Sequence, residues 1–290
     1  LVSQRQAIVS SSDISDTTLD LMVERSIAMA KDAPPDKYAG LASVNQLAKQ
    51  RDFSELEICD PASEPSPTKL QEKAEIAEAS ALEVGGVSQV SGASASYGKY
   101  SVFMAASNGF TANYDRSSNS VSCVAIAGEG LNMERDYDAD TRVYQSDLRP
   151  SDEIGRTAGL RAVERLNPRR PATGNYPVIY DERISSGLVG HFLSAINGAA
   201  ITRGSSWLKD SLGKQVLPNT CKLVEDPHRL RAGASRLFDS EGLATKKREI
   251  LSKGVLNGWT LDLASARKLG MKPTANASRN VSSNPSPTNW

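Results

Sequence analysis

Three runs decide the fold: Val87-Ser88-Gln89-Val90, Tyr100-Ser101-Val102-Phe103 and Val121-Ser122-Cys123-Val124-Ala125-Ile126. Small and β-branched residues alternate along them, the period of a strand with one buried face. Turn signals separate them at Tyr97-Gly98-Lys99 and Asn108-Gly109. Asn-Gly between such runs favours a tight hairpin, because both residues tolerate positive φ. The stretch from Val87 to Tyr137 therefore reads as an antiparallel meander.

Helices flank it. Upstream, Leu19, Met22, Val23, Ile27 and Ala30 recur at helical spacing over Thr17 to Asp32, with Asp16 as cap and Pro34-Pro35 as stop. The loop from Asp60 to Pro67 leads to a second helix, in which Ser66 caps, Pro67 suits the first position and Gly85-Gly86 ends the run. Its inner stripe is Leu70, Ala74, Ala77 and Ala81. Downstream, Ser151 to Leu166 reads as a helix closed by Asn167-Pro168, and Tyr176 to Tyr180 as a short buried strand.

Ile184 to Ile201 reads as one helix, with Leu188, Val189, Phe192, Leu193 and Ile196 inward and Gly187, His191, Ser194 and Gly198 on a small-residue face. Lys246 to Leu251 and Val255 to Leu261 form a hairpin around Ser252-Lys253-Gly254. Ala264 to Leu269 is a helix closed by Gly270, and the polar tail from Lys272 to Trp290 is expected to be poorly ordered.

The expected class is α+β, with antiparallel sheets and packed helices. The 290 residues suit two domains. We divide them into an N-terminal α+β domain over 1–172 and a β-rich, incomplete C-terminal domain over 173–290. The chain opens Leu1-Val2-Ser3-Gln4-Arg5, with neither a starting Met nor the apolar core of a secretory signal, as a fragment or trimmed chain would. No apolar run is long enough to span a bilayer.

Charge excludes the commonest nucleic-acid binders. The 34 Lys and Arg balance 34 Asp and Glu, so there is no general attraction to phosphate. The local clusters Arg165, Arg169, Arg170 and Lys246-Lys247-Arg248 read as solvated faces. The three cysteines, Cys59, Cys123 and Cys221, are too sparse for a disulfide framework and suit a reducing cytosol.

A hydrolytic zinc site takes three protein ligands and a carboxylate base. The two histidines, His191 and His228, have no acid cluster at ligand spacing. His191 reads as a packing or hydrogen-bonding residue and His228 as part of a surface turn. Nucleophile elbows, Walker loops and dinucleotide fingerprints are absent. The loop Ser235-Arg236-Leu237-Phe238-Asp239-Ser240-Glu241-Gly242 gathers an arginine, two carboxylates and a glycine. It reads either as a peptide-gripping or subunit-contact loop, or as a turn whose charges pair with one another.

A series of motifs carries a resemblance. Gly190-His191-Phe192-Leu193-Ser194-Ala195-Ile196-Asn197-Gly198 precedes Arg203-Gly204-Ser205-Ser206-Trp207-Leu208-Lys209-Asp210. Then come Phe238-Asp239-Ser240-Glu241-Gly242, Ser265-Ala266-Arg267-Lys268-Leu269-Gly270 and Pro285-Ser286-Pro287-Thr288-Asn289. Upstream, Gly92-Ala93-Ser94-Ala95-Ser96 and Ser107-Asn108-Gly109-Phe110 agree. Over nearly its whole length the chain resembles the PmbA/TldE branch of the TldD/PmbA peptidase-related family, also called modulators of DNA gyrase.

That resemblance implies a cytoplasmic metalloprotease built from a TldD-type and a PmbA-type subunit, acting on unfolded peptides. It places the metal, zinc, on an HExxxH helix of the TldD-type partner. Here the comparable helix starts at His191, but Phe192 replaces the Glu and Ile196 replaces the second His. No catalytic residue, metal ligand or cofactor is therefore expected in this chain. Candidate contacts to peptide or partner are His191, Arg203, Arg236, Asp239 and Glu241. No membrane or nucleic-acid partner is expected. Two rivals are a metallopeptidase acting alone, which stoichiometric zinc would reveal, and a gyrase or nucleic-acid modulator, which salt-dependent DNA binding would reveal.

Overall fold

A computed structural model describes residues 1–277. The expected meander is present but simpler than read. Strand β1 (Val87–Ala105) pairs antiparallel with β2 (Thr111–Ala127), which pairs antiparallel with β3 (Glu134–Arg142), in the order β1-β2-β3. Tyr97-Gly98-Lys99 makes no turn: Gly98 lies opposite Ser118 inside one continuous 19-residue strand. Glycine without a partner strand would break the run, but the β2 ladder holds its backbone extended. The turn at Asn108-Gly109 does form. Gly109 has φ +88°, and its N–H donates to the Ala106 carbonyl.

Helices α2 (Pro67–Leu82) and α3 (Ser151–Glu164) cover one face of this sheet. Ser66 caps α2 as expected, its hydroxyl accepting the Lys69 N–H. Ala77 and Ala81 of α2, Val121, Cys123 and Ala125 of β2, and Ile154, Ala158 and Ala162 of α3 form the core there. Small residues dominate because the helices nearly touch: a Cβ at Gly155 would lie 1.9 Å from the Ala77 carbonyl oxygen. Buried Asp138 of β3 binds Arg149 and Arg161, each at 2.6 Å, which ties α3 to the sheet.

Helix α1 (Asp16–Asp32) ends before Pro34 as expected, but Ser15 rather than Asp16 stands at its cap position. Its apolar stripe is not a core stripe. Only Ala30 is buried, and Leu19, Val23 and Ile27 face solvent.

In the second half, α4 (Glu182–Ala195), α5 (Gly198–Arg203) and α6 (Leu263–Leu269) pack with a small sheet of β4 (Leu223–Glu225), β5 (Arg248–Ser252) and β6 (Val255–Leu256). Its strands are short, and isolated bridges such as Asn197–Thr260 and Gln215–Val255 add to the β pairing. The expected single helix from Ile184 to Ile201 is two. Asn197 leaves the first, caps α5 through the Ala199 N–H at 3.0 Å, and pairs with Thr260. Phe192, Leu193 and Ile196 are buried as read, with Ile250, Leu251, Leu256 and Trp259, whereas Leu188 is exposed. The hairpin turn is Lys253-Gly254, with φ +48° and +75°, the pair of left-handed residues a two-residue turn needs.

Tyr176 to Tyr180 is no strand. It is irregular, and Val178 and Ile179 are exposed. Pro177 lacks an N–H, and the segment has no partner strand among the described residues.

The expected boundary at 172/173 falls in the irregular stretch between α3 and α4. A core nonetheless joins residues from both sides of it. Phe53, Phe110 and Tyr114 pack on Phe238, with ring centroids 5.3, 5.1 and 6.1 Å away, and Leu243 and Leu263 complete the cluster. Among the described residues no helix is long and apolar enough to cross a membrane. The motif Pro285 to Asn289 and most of the expected disordered tail lie outside the described residues.

Candidate functional site

A sheet edge carries one unpaired row of backbone N–H and C=O groups. β1 is such an edge, because β2 pairs with its other side and no further strand joins it among the described residues. The sheet's other edge ends early: β3 accompanies β2 only from Asn119 to Ala127, so Thr111 to Ser118 run on beyond it. Tyr100 and Phe103 stand exposed toward the hairpin turn.

The loop from Ser235 to Gly242 is held from within. Asp239 is buried and accepts the N–H groups of Glu241, Leu243 and Ala277, each at 3.0 Å. Burial pushes its carboxyl above the usual value, and those three donors oppose the shift. Glu241 accepts the Leu263 N–H at 2.9 Å and so closes the start of α6. Burial, with Asp239 and Asp262 nearby, raises its carboxyl to about 7. Arg236 donates to the buried Glu225 at 3.3 Å.

The five candidate contacts do not converge on one spot. Arg236, Asp239 and Glu241 share the loop. Arg203 is exposed at the last turn of α5 and lines a cavity of about 480 Å³ with Asp36, Tyr38, Asp262 and Lys268. His191 is exposed on α4. Sequence reasoning missed Glu225, a buried acid at the inward position of a short strand, and Arg116, a half-buried cation on β2. Strand alternation marks both as inward-leaning, but their partners lie far away in sequence.

Among the described residues no group of three or more His, Cys, Asp or Glu could hold a metal ion. His228 is engaged with the Thr245 hydroxyl at 3.0 Å. Phe192 and Ile196 are buried in the apolar core. Cys123 is buried with its thiol pushed up to about 11 by desolvation, which makes it a packing residue rather than a nucleophile.

The family profile for the PmbA/TldA metallopeptidase central domain matches residues 60–166, and that for the C-terminal domain matches 173–290. The chain is 38% identical to the metalloprotease PmbA of Escherichia coli O157:H7, over 94% of this chain and 60% of that protein. It is 35% identical to the PmbA homologue of Haemophilus influenzae, over 95% of this chain and 61% of that protein. It thus spans about 60% of the length of these relatives. The crystal structure of a protein from Bacteroides thetaiotaomicron described as a modulator of DNA gyrase superposes with a TM-score of 0.88 at 28% identity, covering 96% of this chain and 63% of that one. The fold is also that of TldE from Thermococcus kodakarensis, with a TM-score of 0.72 at 19% identity over 98% of this chain and 63% of that one. From motifs, profiles and fold together, the chain belongs to the PmbA/TldD family of metallopeptidase-related proteins.

Proposed function

We propose that this chain is the metal-free subunit of a PmbA/TldD-type peptidase, which presents unfolded peptide to a zinc-bearing TldD-type partner. One observation carries the reading: where the family's metal motif needs Glu and His, this chain buries Phe192 and Ile196 in an apolar core. A buried phenyl ring and an aliphatic side chain supply neither ligand nor base, so cleavage falls to another subunit. Extended peptide binds to such a protein by adding a strand to an open edge, and β1 offers 19 residues of one. In that role the exposed edge, otherwise an aggregation liability, has a use. His191, Arg203 and the Arg236 to Glu241 loop are the proposed contacts to peptide or partner. Three free thiols suit a cytoplasmic complex.

The test is to co-purify the chain with a TldD-type protein and to follow cleavage of an unfolded peptide with and without it. Cleavage should depend on this chain, and zinc should travel with the partner. Equal cleavage in its absence, or stoichiometric zinc in this chain alone, would refute the proposal.

A further inference from the structure

Where β3 ends and β2 runs on, a cleft of about 410 Å³ opens against the loop at 229–233. Among the described residues four arginines line it, Arg116, Arg142, Arg229 and Arg231, and no Asp or Glu does. A chain of zero formal charge has thus gathered four cations around one opening.

They are not equally engaged. Arg142 pairs with Asp140 at 3.0 Å, and Arg231 pairs with Glu57 at 2.6 Å and Asp147 at 3.2 Å, all acids outside the lining. Among the described residues no carboxylate pairs with Arg116. Its guanidinium donates to the Ser235 carbonyl at 2.7 Å and lies 5.7 Å from the centre of the Tyr114 ring. A half-buried cation without a counter-charge is costly, and an anion drawn into the cleft relieves that cost.

Resting on the peptide-presenting role above, we propose that this arginine cleft binds one carboxylate of a peptide, either the chain terminus or an acidic side chain. The planar guanidinium fork matches a carboxylate with two parallel N–H bonds. The cleft accommodates one such group and its residue rather than a polyanion. It lies beside the stretch of β2 left unpaired by β3, so a peptide anchored there by its carboxylate can run along the sheet. The cleft acts as a positioning site, setting which part of the peptide is offered for cleavage.

Fluorescence anisotropy on the whole chain tests this with three labelled decapeptides of otherwise uncharged side chains. One has a free C-terminal carboxylate, one is amidated, and one is amidated with a single internal Glu. The free acid should bind about tenfold more tightly than the amide, equivalent to about 1.4 kcal/mol. Arg116→Gln should abolish that preference. Arg142→Gln, at the exposed rim, should reduce it several-fold and covers the case in which Arg116→Gln fails to fold. Recovery of affinity by the internal Glu would assign the site to acidic side chains, and no recovery would assign it to the terminus. Equal binding of acid and amide by the unaltered protein overturns the proposal, whether or not inorganic phosphate binds. If cleavage by the TldD-type partner still depends on this chain in that case, only the carboxylate site has failed. A preserved acid preference with cleavage independent of the chain would instead refute the subunit role.

Discussion

Arg248 donates two N–H bonds to a single carboxylate oxygen of Glu225, at 2.8 and 2.6 Å, and both side chains are nearly out of solvent. The other oxygen of Glu225 accepts from Asn276 at 2.6 Å and from Arg236 at 3.3 Å. One acid thus joins β4, β5, the loop from Ser235 to Gly242 and the last described residues.

Removing that acid strands a cation. Glu225→Ala should destabilise the protein by about 3–5 kcal/mol, because Arg248 stays buried without its partner. Replacing Glu225 and Arg248 together with apolar residues should recover much of the loss. Urea unfolding of the single and double variants measures both.

The contact between α2 and α3 leaves no room for a methyl group. Gly155→Ala, with its Cβ placed 1.9 Å from the Ala77 carbonyl oxygen, should cost about 1–3 kcal/mol or more by overpacking. The helix-favouring effect of alanine is smaller than that. Thermal unfolding should show a lowered midpoint, and a raised one would mean that the helices sit further apart.

Phe238 is the joint between the two halves of the chain. Phe238→Ala should lose about 3–5 kcal/mol. A double-mutant cycle with Phe53→Ala, whose ring meets Phe238 edge-on at 5.3 Å, should return a coupling of about 0.5–1.5 kcal/mol. Zero coupling in urea denaturation would contradict the shared core.

Glu241 makes stability depend on pH. Its carboxyl rises from 4.5 to about 7 on folding, chiefly through burial. Below pH 4.5 it is protonated in the folded and unfolded chains alike. As pH climbs toward 7 the unfolded chain releases the proton while the folded chain keeps it, so this contribution to stability is lost. Glu241→Gln retains an oxygen for the Leu263 N–H and should remove that slope, worth about 1–3 kcal/mol across the window. Unfolding free energies of both proteins from pH 4 to 8 provide the check.

Local chemistry was legible wherever neighbouring residues decide the backbone. Ser66 and Pro67 start α2, Gly270 ends α6 with φ +65°, and Lys253-Gly254 turns the small hairpin. The reading failed where a distant partner overrules a local signal. Gly98 looks like a turn but is held straight by Ser118 across the ladder, and Tyr176 to Tyr180 looks like a strand but finds nothing to pair with. The loop from Arg236 to Glu241 stood out by composition, yet its carboxylates turn inward to Ala277 and Leu263, far along the chain.

From the amino acids alone came the α+β class and the family, because both depend on residue identity within short segments. Tertiary structure alone decided that the two halves share an aromatic core, that Glu225 gathers its cations and that four arginines surround one opening. Those arrangements join residues tens to hundreds of positions apart, and only the packed chain sets the distances on which burial and charge pairing depend.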